Sequence, residues 1–217
     1  MKFLVFDTET TGLPKRNNAS PEETYLFPYI VQLSWLVYNT GNNKLESVKD
    51  KIIKLPENIQ IPKKATEIHG ITQEQMLTDG ESITEVLDTF LRDVSSCTYI
   101  VAHNINFDKK MVEVECIRNK MGKSLSDYRK LEYCTMRNGK ELCNIPRMNT
   151  ITQKKDLKLP KLIELHEWLF KETPENLHNS LIDVLVCFRC FFAMIYNVDV
   201  ITVNSEFKTY YTDLCKL

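Results

Sequence analysis

An apolar run near the start of the chain ends in two acids and a turn, and no other stretch limits the fold as tightly. Residues 3–12 read FLVFDTETTG. If they begin as a β-strand, alternation places Asp7 and Glu9 on one face. Their carboxylates would then lie roughly 5 to 7 Å apart and repel each other by a few kcal/mol at an effective dielectric of about 20. A divalent cation removes this repulsion; two merely solvated acids are the alternative, because exposed acids are common.

Composition indicates one sizeable core and an intracellular setting. Of 217 residues, 43% are hydrophobic, which is enough for such a core. The formal net charge of -1 argues against a protein that holds long duplexes by neutralising phosphates, but it permits a pocket for a few nucleotides. The seven cysteines follow no disulfide framework, so we expect a reducing compartment inside the cell. No uncharged run is long enough to span a membrane, and we expect no membrane association.

The order of apolar patterns predicts an α/β fold. Extended patterns occur at 3–9, 30–38, 45–55, 98–102 and 131–136. Helical spacing of apolar residues occurs at 82–94, 106–121, 161–170 and 179–197. The first three strands follow one another with turn residues around Gly41, which predicts an antiparallel meander. After them, helices and strands alternate.

The same patterns predict how the chain is divided. Prolines, adjacent asparagines and few periodic apolar positions predict a surface loop at 14–28, beside the acidic end of the first strand. The sequence contains neither an internal repeat nor a linker rich in glycine, proline or serine. We therefore expect one domain at 1–197 and a C-terminal extension at 198–217.

Two further acids lie at the starts of predicted helices. Asp108 follows the strand at 98–102 and would lie in a first helical turn, where an acid also favours the helix dipole. Asp183 would lie one turn inside the helix at 179–197, among apolar neighbours, so it needs a partner. Five helical steps of about 100° would separate it from His178, which we therefore place on the incoming loop. From there the histidine could reach the mouth of the pocket into which Asp183 points.

In combination, these residues resemble the motifs of the DEDD superfamily of 3'-5' exonucleases, in its histidine-bearing (DEDDh, DnaQ-like) branch. Asp7 and Glu9 match the first motif, and Asp108 matches the second. His178 and Asp183 match the third, with the spacing typical of this branch. The branch includes the epsilon proofreading subunits of bacterial DNA polymerase III, to which the chain is similar.

The resemblance extends over most of the chain. The segment IHGIT at 68–72 is similar to a segment that these enzymes carry between their first two motifs, and the whole resemblance spans roughly residues 1–195. It implies an RNase H-like fold, in which helices flank a mixed five-stranded sheet and the first three strands are antiparallel.

The matched acids imply a metal site. Four carboxylates without a lysine or arginine among them form a cage of hard oxygen ligands, which suits Mg²⁺ or Mn²⁺. Two ions are expected, one for each of the attacking and leaving oxygens of a phosphodiester displacement. By the resemblance, Asp7 bridges both ions. Glu9 and Asp183 complete the ligands of the first ion, and Asp108 is a ligand of the second. His178 would be the general base, because the ordinary pKa of histidine suits proton transfer near neutral pH.

The resemblance also implies contacts with the substrate. The residues concerned are Thr10, Thr11, Leu13, His69, Ile71, Asn104 and Phe107. The backbone amides of Thr10 and Thr11 would meet the terminal 3'-hydroxyl, and Leu13 would wedge near the last bases. Stacking on such groups contributes about 1 to 3 kcal/mol per base without reading sequence.

We therefore expect an enzyme that removes nucleoside 5'-monophosphates from single-stranded or frayed DNA 3' ends. It would act in replication or repair, either alone or as the proofreading partner of a DNA polymerase. An exoribonuclease acting on RNA 3' ends is the first alternative, although Thr10 and Thr11 favour the DNA-type group. An inactive binding module is the second, but it would have lost a motif residue, and all five are present.

Three other residues of types that can bind metals are expected to have structural roles and not to bind a metal. Cys187 and Cys190 fall within an apolar helix, without a second pair at zinc-ligand spacing, so we expect both in the core. His166 lies in an amphipathic helix, and we expect it at the surface.

Overall fold

A mixed five-stranded sheet forms the centre of the structure, a computed structural model that describes residues 1–16, 18–148, 155–175 and 177–215. Its strands are β1 Lys2–Thr10, β2 Ile30–Asn39, β3 Lys44–Ile52, β4 Tyr99–Ala102 and β5 Leu131–Cys134. The spatial order is β3-β2-β1-β4-β5. β2 runs antiparallel to β1 and β3, whereas β4 is parallel to β1 and β5. The predicted RNase H-like sheet, with three antiparallel strands first, is confirmed.

Helices lie on both sides of the sheet. They are α1 Lys63–His69, α2 Gln73–Asp79, α3 Ile83–Ser96, α4 Ile105–Arg118, α5 Thr135–Cys143, α6 Leu162–Phe170, α7 Ser180–Tyr196, α8 Val200–Val203 and α9 Ser205–Cys215. A separate hairpin pairs β6 Pro146–Met148 with β7 Lys155–Leu157. The four predicted helices correspond to α3, α4, α6 and α7. The remaining helices were not predicted; of these, α1, α2 and α8 are too short to show a clear apolar period.

The two faces of β1 pack against different helices. Leu4 and Phe6 belong to a hydrophobic cluster with α3 and α4. Phe3 and Val5 belong to a second cluster, with α7. This alternation follows from the period of two in a strand. It continues to the end of β1, so the two acids there face α7.

Helix α7 is hydrophobic around most of its circumference because it is covered on several sides. It packs against β1 and β2 on one side and against α6 and α9 on others. Cys187 and Cys190 are 2% and 0% exposed, which confirms that they belong to the core. α7 is 17 residues long, and in the described part of the chain no helix has both the length and the apolar character that crossing a membrane requires.

The C-terminal helices cover α7 from outside. Val200, Phe207 and Tyr211 are each 0% exposed and lie in the same hydrophobic cluster as α7. The predicted boundary after residue 197 falls in the connection between α7 and α8 and stays a prediction; residues 216–217 lie outside the described residues.

A buried arginine joins these elements. Arg189, 1% exposed, donates to Asp199 from Nε (3.1 Å) and Nη2 (2.7 Å) and to Glu172 from Nη1 (3.0 Å). Its Nη1 also lies 3.2 Å from His166 Nε2, which accepts from the Tyr211 hydroxyl at 2.7 Å. The prediction that His166 lies at the surface was wrong, since it is 0% exposed. Its helix is amphipathic, but α9 covers the polar edge, which a local pattern cannot show. Burial lowers the pKa of this histidine, so the neutral ring donates from Nδ1 to the Glu172 carbonyl.

Replacing Arg189 by methionine should destabilise the protein by about 3 kcal/mol, because the carboxylates of Asp199 and Glu172 lose a buried partner. The free energy of unfolding, measured in urea, tests this expectation. Arg92→Met removes an exposed arginine of α3 and should change stability by no more than about 0.5 kcal/mol. Equal effects of the two substitutions would contradict the role given to Arg189.

Candidate active site

The two acids of β1 lie on the face toward α7. In the register with β2, Asp7 lies opposite Ser34 and Glu9 opposite Gln32. Pairing with β4 on the other side ends at Val5. The acidic end of β1 therefore extends beyond its parallel neighbour, and Asp7 and Glu9 are partly buried residues.

The start of α7 brings a third acid to this place. The Asn179 side chain caps the helix by accepting from the amides two and three residues later, at 3.1 and 3.4 Å. The next residue, Ser180, donates from its hydroxyl to the Asp7 carbonyl at 2.7 Å. The helix is thus attached to β1, and its first turn carries Asp183.

Asp7, Glu9 and Asp183 form a cluster with the geometry of a metal site. One carboxylate oxygen from each lies within 4.8 Å of the others. Oxygen-only donors at such separations suit a hard divalent cation. Among the described residues, none of these acids forms a salt bridge with a lysine or arginine.

Asp108 approaches β1 from the opposite face. It lies in the first turn of α4 and is 2% exposed. Its Oδ1 accepts from the backbone amide of Thr8 at 3.1 Å and from the Thr8 hydroxyl at 2.9 Å. That amide is available because β4 pairs with β1 only as far as Val5. Thr8, which lies between Asp7 and Glu9, therefore holds Asp108 in place.

Burial raises the pKa of all four acids, and the charges of neighbouring acids raise it further for three of them. Desolvation, followed by the charges of Asp7, Asp183 and Asp108, raises the pKa of Glu9 to about 9. Desolvation raises the pKa of Asp7 to about 7, against a lowering contribution from Ser180. The pKa values of Asp108 and Asp183 are also raised, first by desolvation and then by Asp7. The Asp7 carboxylate thus contributes to the raised pKa of each of the other three acids, and a cation beside it would relieve most of this repulsion.

His178 lies on the loop that enters α7, as the spacing predicts. The residue is exposed, and its backbone amide donates to Asp183 Oδ2 at 3.2 Å. Its φ of 72° lies in the left-handed region, which is uncommon for a residue with a side chain. The contact with the Asp183 carboxylate keeps this turn at the edge of the cluster.

Three of the predicted substrate residues line one groove. Leu13, Asn104 and Phe107 contribute to a groove of about 660 Å³, together with Lys109 and Lys110. Leu13 is 80% exposed. Asn104 has a φ of 71° and immediately precedes α4. The groove thus begins beside the acidic end of β1 and contains apolar, amide and cationic groups.

The turn after β1 differs from expectation. The amide of Thr11 donates to the Tyr29 carbonyl at 2.9 Å, and the Thr11 hydroxyl accepts from the Tyr29 amide at 3.0 Å. This corrects the expectation that the Thr11 amide is open to a 3'-hydroxyl. The Thr10 hydroxyl donates to the Gly12 carbonyl at 2.6 Å. Both threonines therefore shape the turn, which a sequence pattern cannot distinguish from substrate contact.

Two residues of the segment at 68–72, His69 and Ile71, are buried. His69 is 5% exposed and accepts at Nδ1 from the Ile71 amide at 3.1 Å, so the ring proton lies on Nε2. This second nitrogen has no hydrogen-bond partner among the described residues. Ile71 is 3% exposed and packs in a small hydrophobic cluster. Its burial does not support the expectation that it lines the nucleotide pocket.

Thr8 and Ser180 contact site residues, and Gln32 binds the Ser180 amide, but sequence reasoning missed all three. Thr8 lies between the two acids of the first motif, and its alternation toward the other face was a usable signal. Gln32 interrupts a hydrophobic strand, which was a second signal. The contact from Ser180 to β1 joins distant parts of the chain and gives no local signal.

The sequence matches a known family model, and the fold is similar to solved structures. The exonuclease family model named RNase T matches residues 4–191. No curated protein matches the chain significantly. The nuclease domain of 3'hExo, a DEDDh family member bound to rAMP, superposes with a TM-score of 0.66 at 16% identity, over 92% of this chain and 94% of that one.

Exonuclease I proteins share the fold as well. The zinc-bound complex of E. coli exonuclease I with single-stranded DNA has a TM-score of 0.65 at 16% identity, over 96% of this chain and 42% of that one. Exonuclease I from Methylocaldum szegediense has a TM-score of 0.61 at 15% identity, over 93% and 42%. This chain therefore spans less than half the length of those proteins.

The raised pKa values predict how pH and metal affect stability. The pKa of Glu9 is about 9 in the folded chain and ordinarily 4.5, so the folded state binds this proton more tightly than the unfolded state. The resulting stability is present below about pH 4.5 and is lost as the pH rises through about 9. We expect the melting temperature in EDTA to fall over this range. Saturating Mg²⁺ or Mn²⁺ should raise it by about 5 to 10 °C at pH 8 and by less at pH 5, where protons compete.

Two substitutions serve as controls for this measurement. Asp7→Asn should remove most of the metal-induced increase in melting temperature, because it removes the acid that the other three share. Asp88→Asn, at an exposed acid of α3, should behave like the parent. An equal metal effect in all three proteins would exclude this cluster as the binding site.

Proposed function

We propose that this chain, which belongs to the exonuclease family, is a 3'-5' exonuclease of the DEDDh type that removes nucleoside 5'-monophosphates from single-stranded or frayed DNA 3' ends. One observation carries this proposal: three carboxylates with oxygens within 4.8 Å of one another, a fourth against the same strand, and a histidine loop at their edge. Such a cluster is costly to fold, and cation-assisted phosphodiester hydrolysis gives it a use.

The acids would hold two divalent cations, Mg²⁺ or Mn²⁺. Asp7 is the neighbour that the others share, which suits a ligand common to both cations. Glu9 and Asp183 lie on its α7 side and would complete one site, while Asp108, on the α4 side, would serve the other. When bound, the cations would stabilise the negative charge that develops on the attacking and leaving oxygens.

His178 would act as the general base. Its loop is exposed, and its backbone is held by the same Asp183 carboxylate that completes the metal site. A side chain on this turn can take the proton from the attacking water once substrate fills the cleft. Because the backbone contact uses the amide, the imidazole remains available for this role.

The groove lined by Leu13 and Phe107 would receive the nucleotides next to the 3' end. Lys109 forms an ion pair with Glu132 at 2.7 Å. Lys110 forms no ion pair within the described residues, and its ammonium lies 6.0 Å from the ring centroid of Phe27. It is therefore the cation of this groove best placed for a phosphate. Apolar stacking with so little positive charge suits a short single strand better than a long duplex.

RNA ends are the alternative substrate. The observation that favours them is the rAMP bound to the similar nuclease domain of 3'hExo. With either nucleic acid, the enzyme would act alone or beside a polymerase whose errors it removes. The same four acids would serve both substrates, so only the rates of hydrolysis of DNA and RNA can distinguish the two.

His178→Ala should lower kcat by about 10²- to 10⁴-fold, with a small effect on KM, because general-base catalysis contributes about this much. Steady-state hydrolysis of a 3'-labelled oligonucleotide measures both constants. Glu175→Gln, an exposed change in the same loop, is the matched control and should keep the parental kcat. A His178→Ala enzyme at full rate would remove the general-base assignment and leave the metal site untouched.

Substrate choice can be tested with 3'-labelled single-stranded DNA, frayed duplex and RNA of one sequence. We expect mononucleotide release from single-stranded and frayed DNA with Mg²⁺ or Mn²⁺, and no release in EDTA. Asp7→Ala should abolish it, because the acid common to both cation sites is gone. A higher kcat/KM on RNA would replace the DNA proposal by the exoribonuclease. Hydrolysis of none of the three would favour an inactive binding module.

A further inference from the structure

Two polar side chains interrupt β2 where it passes the acids. β2 is otherwise hydrophobic from residue 30 to 38, and Gln32 and Ser34 are 2% and 0% exposed. They lie directly opposite Glu9 and Asp7 in the register. Buried polar groups of this kind lower stability unless they are hydrogen-bonded.

Both side chains bind one carboxylate of β3. Gln32 Nε2 donates to Asp50 Oδ1 at 2.7 Å, and the Ser34 hydroxyl donates to the same oxygen at 2.6 Å. Gln32 Oε1 accepts from the backbone amide of Ser180 at 3.2 Å. A carboxylate only accepts and a backbone amide only donates, so the Gln32 amide fits this place in one orientation.

The amide that Gln32 binds is the first of α7. The first amides of a helix have no partner within the helix. Asn179 accepts from those of Leu181 and Ile182, which leaves that of Ser180 to Gln32. The Ser180 hydroxyl in turn binds the Asp7 carbonyl. The start of α7 is therefore attached to β2 by one bond and to β1 by another.

We propose that Gln32 is a positioning residue that holds the start of α7 so that Asp183 reaches the cation shared with Asp7 and Glu9. Asp50 fixes the orientation of the Gln32 amide. This inference rests on the proposed function, because it concerns the same metal site. An apolar side chain of similar size could fill the space of Gln32, but it could not accept the Ser180 amide.

Replacing Gln32 should weaken metal binding more than it lowers the stability of the fold. Asp183 lies one helical turn after Ser180, so a tilt of the helix start moves its carboxylate away from the other two acids. Residues that orient metal ligands without touching the metal typically change affinity about 10- to 100-fold when replaced. The core that holds the rest of α7 lies beyond this turn and is unchanged by such a substitution.

Three proteins test the inference: the parent, Gln32→Met and Ser34→Ala. Methionine keeps the length of the side chain without its hydrogen bonds. Ser34→Ala is the matched control, since it removes a bond to the same Asp50 oxygen but none to α7. We expect Gln32→Met to weaken Mn²⁺ binding at least about tenfold, measured by calorimetric titration of metal-free protein. Ser34→Ala should bind Mn²⁺ as the parent does. The kcat of Gln32→Met should be closer to the parental value at saturating Mn²⁺ than at limiting Mn²⁺.

The outcomes separate the inference from the function on which it rests. A parent that binds no Mn²⁺ would overturn the proposed metal site itself. A parent that binds Mn²⁺ no more tightly than Gln32→Met would overturn the positioning role alone, as would equal weakening in Ser34→Ala. If Gln32→Met does not fold, Asp50→Ala replaces it, because Asp50 is exposed and its loss frees the Gln32 amide to rotate. Unchanged Mn²⁺ affinity in Asp50→Ala would then overturn the inference.

Discussion

Four carboxylates repel one another around Asp7, and the fold has to hold them together without help from a lysine or arginine in the described residues. The raised pKa values of these acids express their desolvation, together with that repulsion, as a loss of stability near neutral pH. The hydrophobic clusters on both faces of the sheet supply the opposing free energy. A site of this kind therefore has to lie at the end of a large core, where β1 emerges from between its neighbours.

Attachment to the backbone of β1 explains why the acids stay in place despite the repulsion. Asp108 is held by the amide and hydroxyl of Thr8, and α7 is held by the bond from Ser180 to the Asp7 carbonyl. One strand thus receives a helix on each face. This arrangement is possible because β1 is central in the sheet and because its pairing with β4 stops early.

The parts of the site that depend on local pattern could be predicted from the sequence. Strand alternation placed Asp7 and Glu9 on one face, and helix periodicity placed Asp183 inside α7, because both rules act within a few residues. The burial of His166 and the bond from Thr11 to Tyr29 could not be predicted in this way, because each depends on a segment distant in sequence. Such contacts are set by tertiary packing, and no local period encodes them.

The loop that carries His178 is held by contacts with residues distant from the acids. Glu172, near the start of this loop, binds the buried Arg189, and the Glu175 amide donates to the Cys215 carbonyl at 3.3 Å. Cys215 ends α9, beyond residue 191, where the family match stops. The acids are carried by β1, α4 and α7, whereas the histidine loop also contacts the C-terminal helix. Changes in that helix should therefore disturb the His178 loop before they disturb the acids, because the loop lies between that helix and the contact of the His178 amide with Asp183.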